Sequence, residues 1–211
     1  MKRLAIIGSG DLAKQIAHHA VHDKHYQIVG CFDDFILKGE SSNGLCILGN
    51  IESIQDSFDK NIFDVLIIGI GYNHMKLRND LFNRFEKTIP FGTMIHSSCI
   101  IDKSAKLGKG TIIYPGCNID MNAEIGNNCL IYNGCIIAHD SKVSNNTIFS
   151  PGVIIAGFCS IGEHVILGIA SVLSDHISIT EKVRTGAGTV VVKSIDESGI
   201  YVGVPAKSIK A

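Results

Sequence analysis

The sequence carries little charge. Asp, Glu, Lys and Arg make up 18% of its 211 residues, and 19 basic residues face 20 acidic ones. With no basic stripe to accompany that balance, neither nucleic acid nor an anionic membrane is expected as the main partner. Long apolar runs are also lacking. VLIIGIGY at 65–72 falls far short of the roughly 20 residues a membrane-spanning helix needs. The start, MKRLAIIGSG, has a basic pair but too short an apolar stretch before Gly8 for a signal peptide, so a cytoplasmic protein is expected. The seven cysteines are odd in number and include no C-x-x-C pair. Together with the missing export signal, this favours reduced thiols over a disulfide framework or a zinc site.

What is abundant is apolar residues, at 45%, and they are ordered. Stepping by six from Ile95 gives Ile101, Leu107, Ile113, Ile119, Ile125, Ile131, Ile137, Val143, Phe149, Ile155, Ile161, Leu167, Leu173 and Ile179, all large and apolar. Chance would produce such a run with probability on the order of 10^-5 per register. Two residues before each of these lies a mostly small residue, and Cys99, Cys117, Cys129, Cys135 and Cys159 all fall in this slot. They read as compact core filler. A hexapeptide repeat of this kind specifies a parallel β-helix, three hexapeptides to an 18-residue coil. Gly116, Gly134 and Gly152 mark that longer period, as do Gly108, Gly126 and Gly162, and Pro115 and Pro151 lie two coils apart. Thr185 and Val191 extend the beat into a final coil. A helical reading fails, because it needs a 3.6-residue spacing and this segment is rich in Gly, Asn, Ser and Thr.

The first ninety residues are of another kind. Strand, glycine turn and helix are legible in RLAIIGSGDLAKQIAHHAVHD, a second strand in YQIVGCFDDF, a third in VLIIGIG and a helix at 73–87. The expected organisation is a Rossmann-like α/β domain with a parallel sheet at 1–92 and the β-helix at 93–211. Gly8, Ser9, Gly10 and Ala13 approximate a dinucleotide-binding turn, with Asp33 following at the end of the second strand. Three or four strands make only half the usual dinucleotide sheet. A nucleotide-linked ligand fits that better than a redox cofactor, and a bare strand-to-helix turn is the alternative.

Nine histidines are present. His18, His22 and His25 share roughly one helix face, with no acid or cysteine to complete a metal set. His139, His164 and His176 offer no close pair for zinc, and no metal is expected. His139 differs from the rest. It lies two residues past the beat at Ile137, at a corner, with Asp140 next and Gly157 one coil on. A base for a nucleophile beside an unshielded backbone N–H for an oxyanion is a constellation for acyl transfer. A solvent-facing histidine is the competing reading.

IIGSGDLAKQIA, CFDD, LIIGIGYN, IIAHDSKV and the ending GIYVGVPAKSIK together resemble the bacterial sugar acetyltransferases of the sialic acid O-acetyltransferase (NeuD) type, including the nucleotide-amino-sugar N-acetyltransferases of the PglD and PerB type. The resemblance implies a left-handed β-helix, a homotrimer, and acetyl-CoA in the groove between neighbouring solenoids. It also implies an N-acetyltransferase acting on a nucleotide-linked amino sugar for a surface glycan. His139 would be the general base, Asp140 its partner and Gly157 the oxyanion donor. Gly157, Ile169, Ala187 and Ile148 would lie along CoA. Gly10, Asp11, Leu12, Asp33, Asp34, Gly71 and Asn133 would serve the sugar nucleotide. The chain departs from the family pattern at three places. Many relatives have His at the position of Asp11, Asn-Thr at Tyr132-Asn133, and some a second His at Ile148. O-acetylation of a sialic acid and a non-catalytic sugar-nucleotide scaffold are the alternatives.

Overall fold

The computed structural model describes residues 1–209. The chain divides into two compact units, Met1–Met94 and Ile95–Ala211, so the boundary falls two residues after the expected one.

The first unit contains β1 (Lys2–Ile7), α1 (Asp11–His22), β2 (Tyr26–Phe32), β3 (Ser41–Ser42), β4 (Leu45–Gly49), α2 (Ile54–Asp59), β5 (Val65–Ile68) and α3 (Met75–Phe85). Strand order is β3-β4-β2-β1-β5, parallel except for the β3–β4 hairpin. β1, β2 and β5 carry almost unbroken Ile, Leu, Val and Phe because both faces of a parallel sheet are covered. The chain crosses from one side of β1 to the other between β4 and β5, which opens a crevice at the carboxyl ends of β1 and β5. Gly69 lets helix and sheet close up there: a Cβ on it would lie 2.7 Å from Ile6 Cγ2 and 2.9 Å from Ala13 Cβ. Among the described residues, no helix is long and apolar enough to cross a membrane.

The second unit is the left-handed parallel β-helix that the six-residue beat demands. Its two-residue strands stack in parallel at 18-residue intervals on three faces. Face A holds Ile100–Ile101, Asn118–Ile119, Ile136–Ile137, Ile154–Ile155, Val172–Leu173 and Val190–Val191. Face B runs from Lys106–Leu107 through Glu124–Ile125, Lys142–Val143 and Ser160–Ile161 to Ser178–Ile179. Face C includes Ile112–Ile113, Leu130–Ile131, Ile148–Phe149, Ile166–Leu167 and Val183–Thr185, and ends in the hairpin of Gly199–Val202 with Lys207–Ile209. The beat residues from Ile113 to Ile179 all point inward and are buried, and Thr185 and Val191 continue the series. Ile95, Ile101 and Leu107, in the first coil, are partly covered.

The small slot does more than fill space. Every Cys, Ser or Thr in it from 99 to 171 donates its side-chain proton to the carbonyl fifteen residues later. Cys99 reaches Tyr114 O, Cys117 reaches Tyr132 O, Cys129 reaches Ser144 O, Cys135 reaches Ser150 O and Cys159 reaches Ser174 O, at 3.1–3.3 Å. Thr111, Ser141, Thr147 and Ser171 make the same bond to Gly126, Ala156, Gly162 and Gly186. Each such bond satisfies a corner carbonyl that a strand ladder leaves over. The cysteines share the slot but are spread over three corners: Cys99, Cys117 and Cys135 stack at one, and Cys129 and Cys159 lie at the other two.

Candidate active site

His139 and Asp140 occupy the corner between faces A and B, where Asp140 takes a left-handed backbone conformation (φ 56°). In a regular strand adjacent side chains diverge, but the turn brings these two together. Asp140 Oδ2 lies 2.9 Å from His139 Nδ1, and its other oxygen accepts from Asn122 Nδ2 at 3.1 Å, one coil earlier. Hydrogen bonding to His139 and then to Asn122 holds the Asp140 carboxyl below the usual carboxylate range. An ionised Asp140 assigns the proton to Nδ1, so Nε2 of the neutral ring carries the lone pair. The pair is partly open, with side chains 40% and 30% exposed.

Gly157 lies one coil on, buried against the imidazole. A Cβ built there would meet His139 Cε1 at 2.7 Å, Nε2 at 2.8 Å and Nδ1 at 3.3 Å. The glycine is therefore a steric requirement of the ring as well as a source of an unshielded N–H. Among the described residues that N–H makes no backbone hydrogen bond, whereas its neighbours Ala156 and Phe158 donate to Leu173 O and His139 O. Phe158 sets its ring against the edge of the imidazole, with centroids 5.0 Å apart at 87°. The thiol of Cys159, close behind, is pushed up by burial. It is a structural donor.

Of the expected cofactor residues only Gly157 lies at this corner. Ile169 and Ala187 are exposed and stack one coil apart at the corner between faces C and A, where Gly188 N donates to Ile169 O at 2.7 Å. Asn133, expected to serve the acceptor, is on this second corner too. Ile148 corrects its expectation: it lies in a strand on face C and is 1% exposed, so it presents no surface to a ligand.

In the first unit the expected residues do converge on the carboxyl edge of the sheet, but several are engaged. Gly10 N-caps α1, and a Cβ on Gly10 or Gly71 would meet nothing within 4 Å. Asp11 is exposed in the first turn of α1. The Leu12 side chain packs in the core at 9% exposure, which leaves its backbone for the turn. Asp33 and Asp34 are structural anchors at least in part. Asp33 Oδ2 accepts from Ser9 Oγ (2.7 Å) and Ser9 N (3.2 Å), and its Oδ1 accepts from Phe35 N. Asp34 Oδ1 accepts from Ile51 N.

Two supports escaped the sequence reading. Ser42 Oγ and Asn43 Nδ2 donate to Ser9 O from the tip of the β3–β4 hairpin, whose two-residue turn Asn43-Gly44 has φ of 50° and 79°. The Asn-Gly dipeptide is the sequence signal for such a turn. Arg78 is completely buried on α3 and donates from Nη1 to Ile68 O and Ile70 O, both at 3.0 Å, fixing the loop that leads to Gly71. Its signal was phase: Arg78 lies on the same helical stripe as Leu81, Phe82 and Phe85.

The PglD N-terminal domain family matches residues 3–85. Comparison with curated protein sequences finds no match. Among solved structures, PerB from Caulobacter crescentus in complex with CoA and GDP-perosamine aligns over 100% of this chain and 98% of its own, at 25% identity and a TM-score of 0.90. A mutant of perosamine N-acetyltransferase from the same organism, with the same two ligands, gives 24% identity and a TM-score of 0.92 over 100% and 98%. The acetyltransferase domain of PglB from Neisseria gonorrhoeae, in complex with acetyl coenzyme A, gives 23% and 0.89 over 99% of both chains. The last two matches establish the shared fold. The chain thus carries a match to the PglD N-terminal domain at residues 3–85 and shares the fold of PerB over its whole length.

Proposed function

We propose that the chain is an acetyl-CoA-dependent N-acetyltransferase acting on the amino group of a nucleotide-linked amino sugar. The observation that carries this reading is the His139–Asp140 pair seated over Gly157. The CoA and GDP-perosamine bound to PerB agree with it. In the reaction, the acceptor amine attacks the thioester carbonyl carbon and gives its proton to His139 Nε2. The new C–N bond leaves a tetrahedral oxyanion, which the Gly157 N–H receives. Collapse breaks the C–S bond, and the imidazolium returns its proton to the departing thiolate. Asp140 stays ionised throughout and stabilises the imidazolium.

His139 and the Ile169–Ala187 pair occupy different corners of one solenoid, so a groove lined by both needs a second copy of the chain. On face A, Ile100 and the stacked pair Ile136 and Ile154 are exposed, with Asn118 between them, an apolar surface of the kind that subunit contacts cover. A homotrimer, with acetyl-CoA between neighbouring solenoids, is the assembly this reading requires. The sugar nucleotide is assigned to the carboxyl edge of the N-terminal sheet, at Gly10, Asp11, the Leu12 backbone, Asp33, Asp34 and Gly71. Asp11, Asp33 and Asp34 suit the hydroxyls and N–H groups of a ribose or base, and an anionic sialic acid would want a cationic clamp instead.

The test is thiol release from acetyl-CoA with UDP-, GDP- and dTDP-linked amino sugars, with sialic acid as the O-acceptor control. His139→Ala is expected to keep its fold and oligomeric state and lose most of the release. Turnover near that of the parent would sink the assignment.

A further inference from the structure

The residues with left-handed backbone at the corner between faces A and B form a column: Asn122 (φ 57°), Asp140 (56°), Phe158 (59°) and His176 (57°), one per coil. Asparagine and aspartate tolerate this conformation; a bulky aromatic side chain is a strained outlier there. Elsewhere the solenoid places Asn128, Asn146, His164, Ala170 and Lys182, and Gly110, Gly116, Gly134, Gly152 and Gly188, at positive φ, so Phe158 is the one large apolar side chain among the described residues of the solenoid in this conformation. Phe158 is also half exposed, so neither backbone preference nor core burial accounts for it. What it does touch is the site. Its ring meets the edge of the His139 imidazole, and its other side stacks on His176 at 4.8 Å and 8°.

Asn122, at the other end, is fixed in its turn. Its backbone N donates to Ser104 Oγ at 2.8 Å and its amide to Asp140 Oδ1 at 3.1 Å. With Oδ2 on His139, both oxygens of Asp140 are held, and the carboxylate cannot rotate away without losing one bond. Around the ring stand Asp140 on Nδ1, Gly157 beneath it and Phe158 against it, with His176, whose Nε2 is 3.9 Å from Asp175, beyond Phe158.

We infer that Asn122 and Phe158 are positioning residues for the base, Asn122 acting through Asp140 and Phe158 directly on the imidazole. The inference rests on His139 being the base. Phe158 keeps a strained backbone because an aromatic ring is needed there, so activity and stability are set against each other at this position.

The test compares the full-length Asn122→Ala, Phe158→Asn and Phe158→Tyr variants with the parent and with His139→Ala. Melting temperature is measured alongside steady-state kinetics with acetyl-CoA and the best acceptor. Asn122→Ala and Phe158→Asn are each expected to lower kcat about tenfold with both KM values unchanged, short of the roughly 10²-fold that a misplaced group can cost. Phe158→Asn, which suits the left-handed backbone, is expected to melt no lower than the parent, and Phe158→Tyr to restore kcat. If His139→Ala is inactive while Asn122→Ala and Phe158→Asn stay within twofold of the parent, the inference is overturned and the functional reading stands. Losses of kcat that track losses of melting temperature in both variants overturn it as well. An active His139→Ala removes its foundation and identifies the functional reading as the fault.

Discussion

Gly157→Ala separates the two roles the site gives to one residue. Alanine keeps the backbone N–H, so oxyanion donation survives, but its methyl would lie 2.7–2.8 Å from Cε1 and Nε2 of His139, where ordinary contact begins at 3.4 Å. The ring must retreat by about 0.6–0.7 Å or change rotamer, with an off-rotamer cost of about 0.5–1.5 kcal/mol. Because the imidazole is partly open to solvent, it has room to leave, and the melting temperature should fall by only a few degrees. Activity should suffer far more. Loss of a positioned base costs about 10²–10⁴-fold, or roughly 3–5 kcal/mol of barrier. The assay is kcat/KM by thiol release, together with the double variant carrying His139→Ala. The methyl should add little once the ring it displaces is gone, so the two losses should be strongly non-additive. A Gly157→Ala enzyme within threefold of the parent, or losses that simply multiply, would refute the geometry.

Two further outcomes follow from other parts of the fold. The Arg3 guanidinium and backbone hold the Asp64 carboxyl down at about 2, against an ordinary 3.8. The depressed value makes its contribution to stability present above pH 3.8 and lost as pH falls toward 2. Asp64→Asn should therefore melt below the parent at pH 7, with the gap closing as pH drops through that window; a gap independent of pH would contradict the pairing. In the solenoid, Cys135→Ser should keep the bond to Ser150 O and stay near parental stability. Cys135→Ala should lose about 1 kcal/mol in denaturant melts, and equal stability of the two variants would show that the slot selects size alone.

The hexapeptide beat makes the solenoid legible in the amino-acid sequence, because its inward positions from Ile95 to Ile179 are all large and apolar and their period leaves no other fold. The same beat isolates His139 and Asp140 as residues that packing does not require. The chemistry of the small slot is hidden there: cysteine, serine and threonine look alike by size, and their shared hydrogen bond spans fifteen residues that no local pattern connects. The N-terminal unit is less legible. Asp33 and Asp34 sit where ligand-binding acids belong, yet Ser9, Phe35 and Ile51 occupy much of their hydrogen-bonding capacity. Leu12 lies in a ligand-type turn while its side chain faces the core. Ile148 stands where some relatives have a histidine, but an outward position on face C is no guarantee of exposure.

The bonds that tie each slot residue to the carbonyl fifteen residues on give the solenoid an indivisible unit of length. A single inserted residue anywhere between Cys99 and Ser171 would break the local beat and misalign every donor spanning it. Removing or adding a whole coil of eighteen would leave every bond with an equivalent partner. Features on the solenoid can therefore be moved apart or together only in steps of one coil, about 4.8 Å. The separation along the axis between the His139 corner and anything mounted further along is quantised. A lineage, or an engineer, wishing to lengthen the reach from the base to a bound carrier has coil number as its coarse control and side-chain choice at the corners as its fine one.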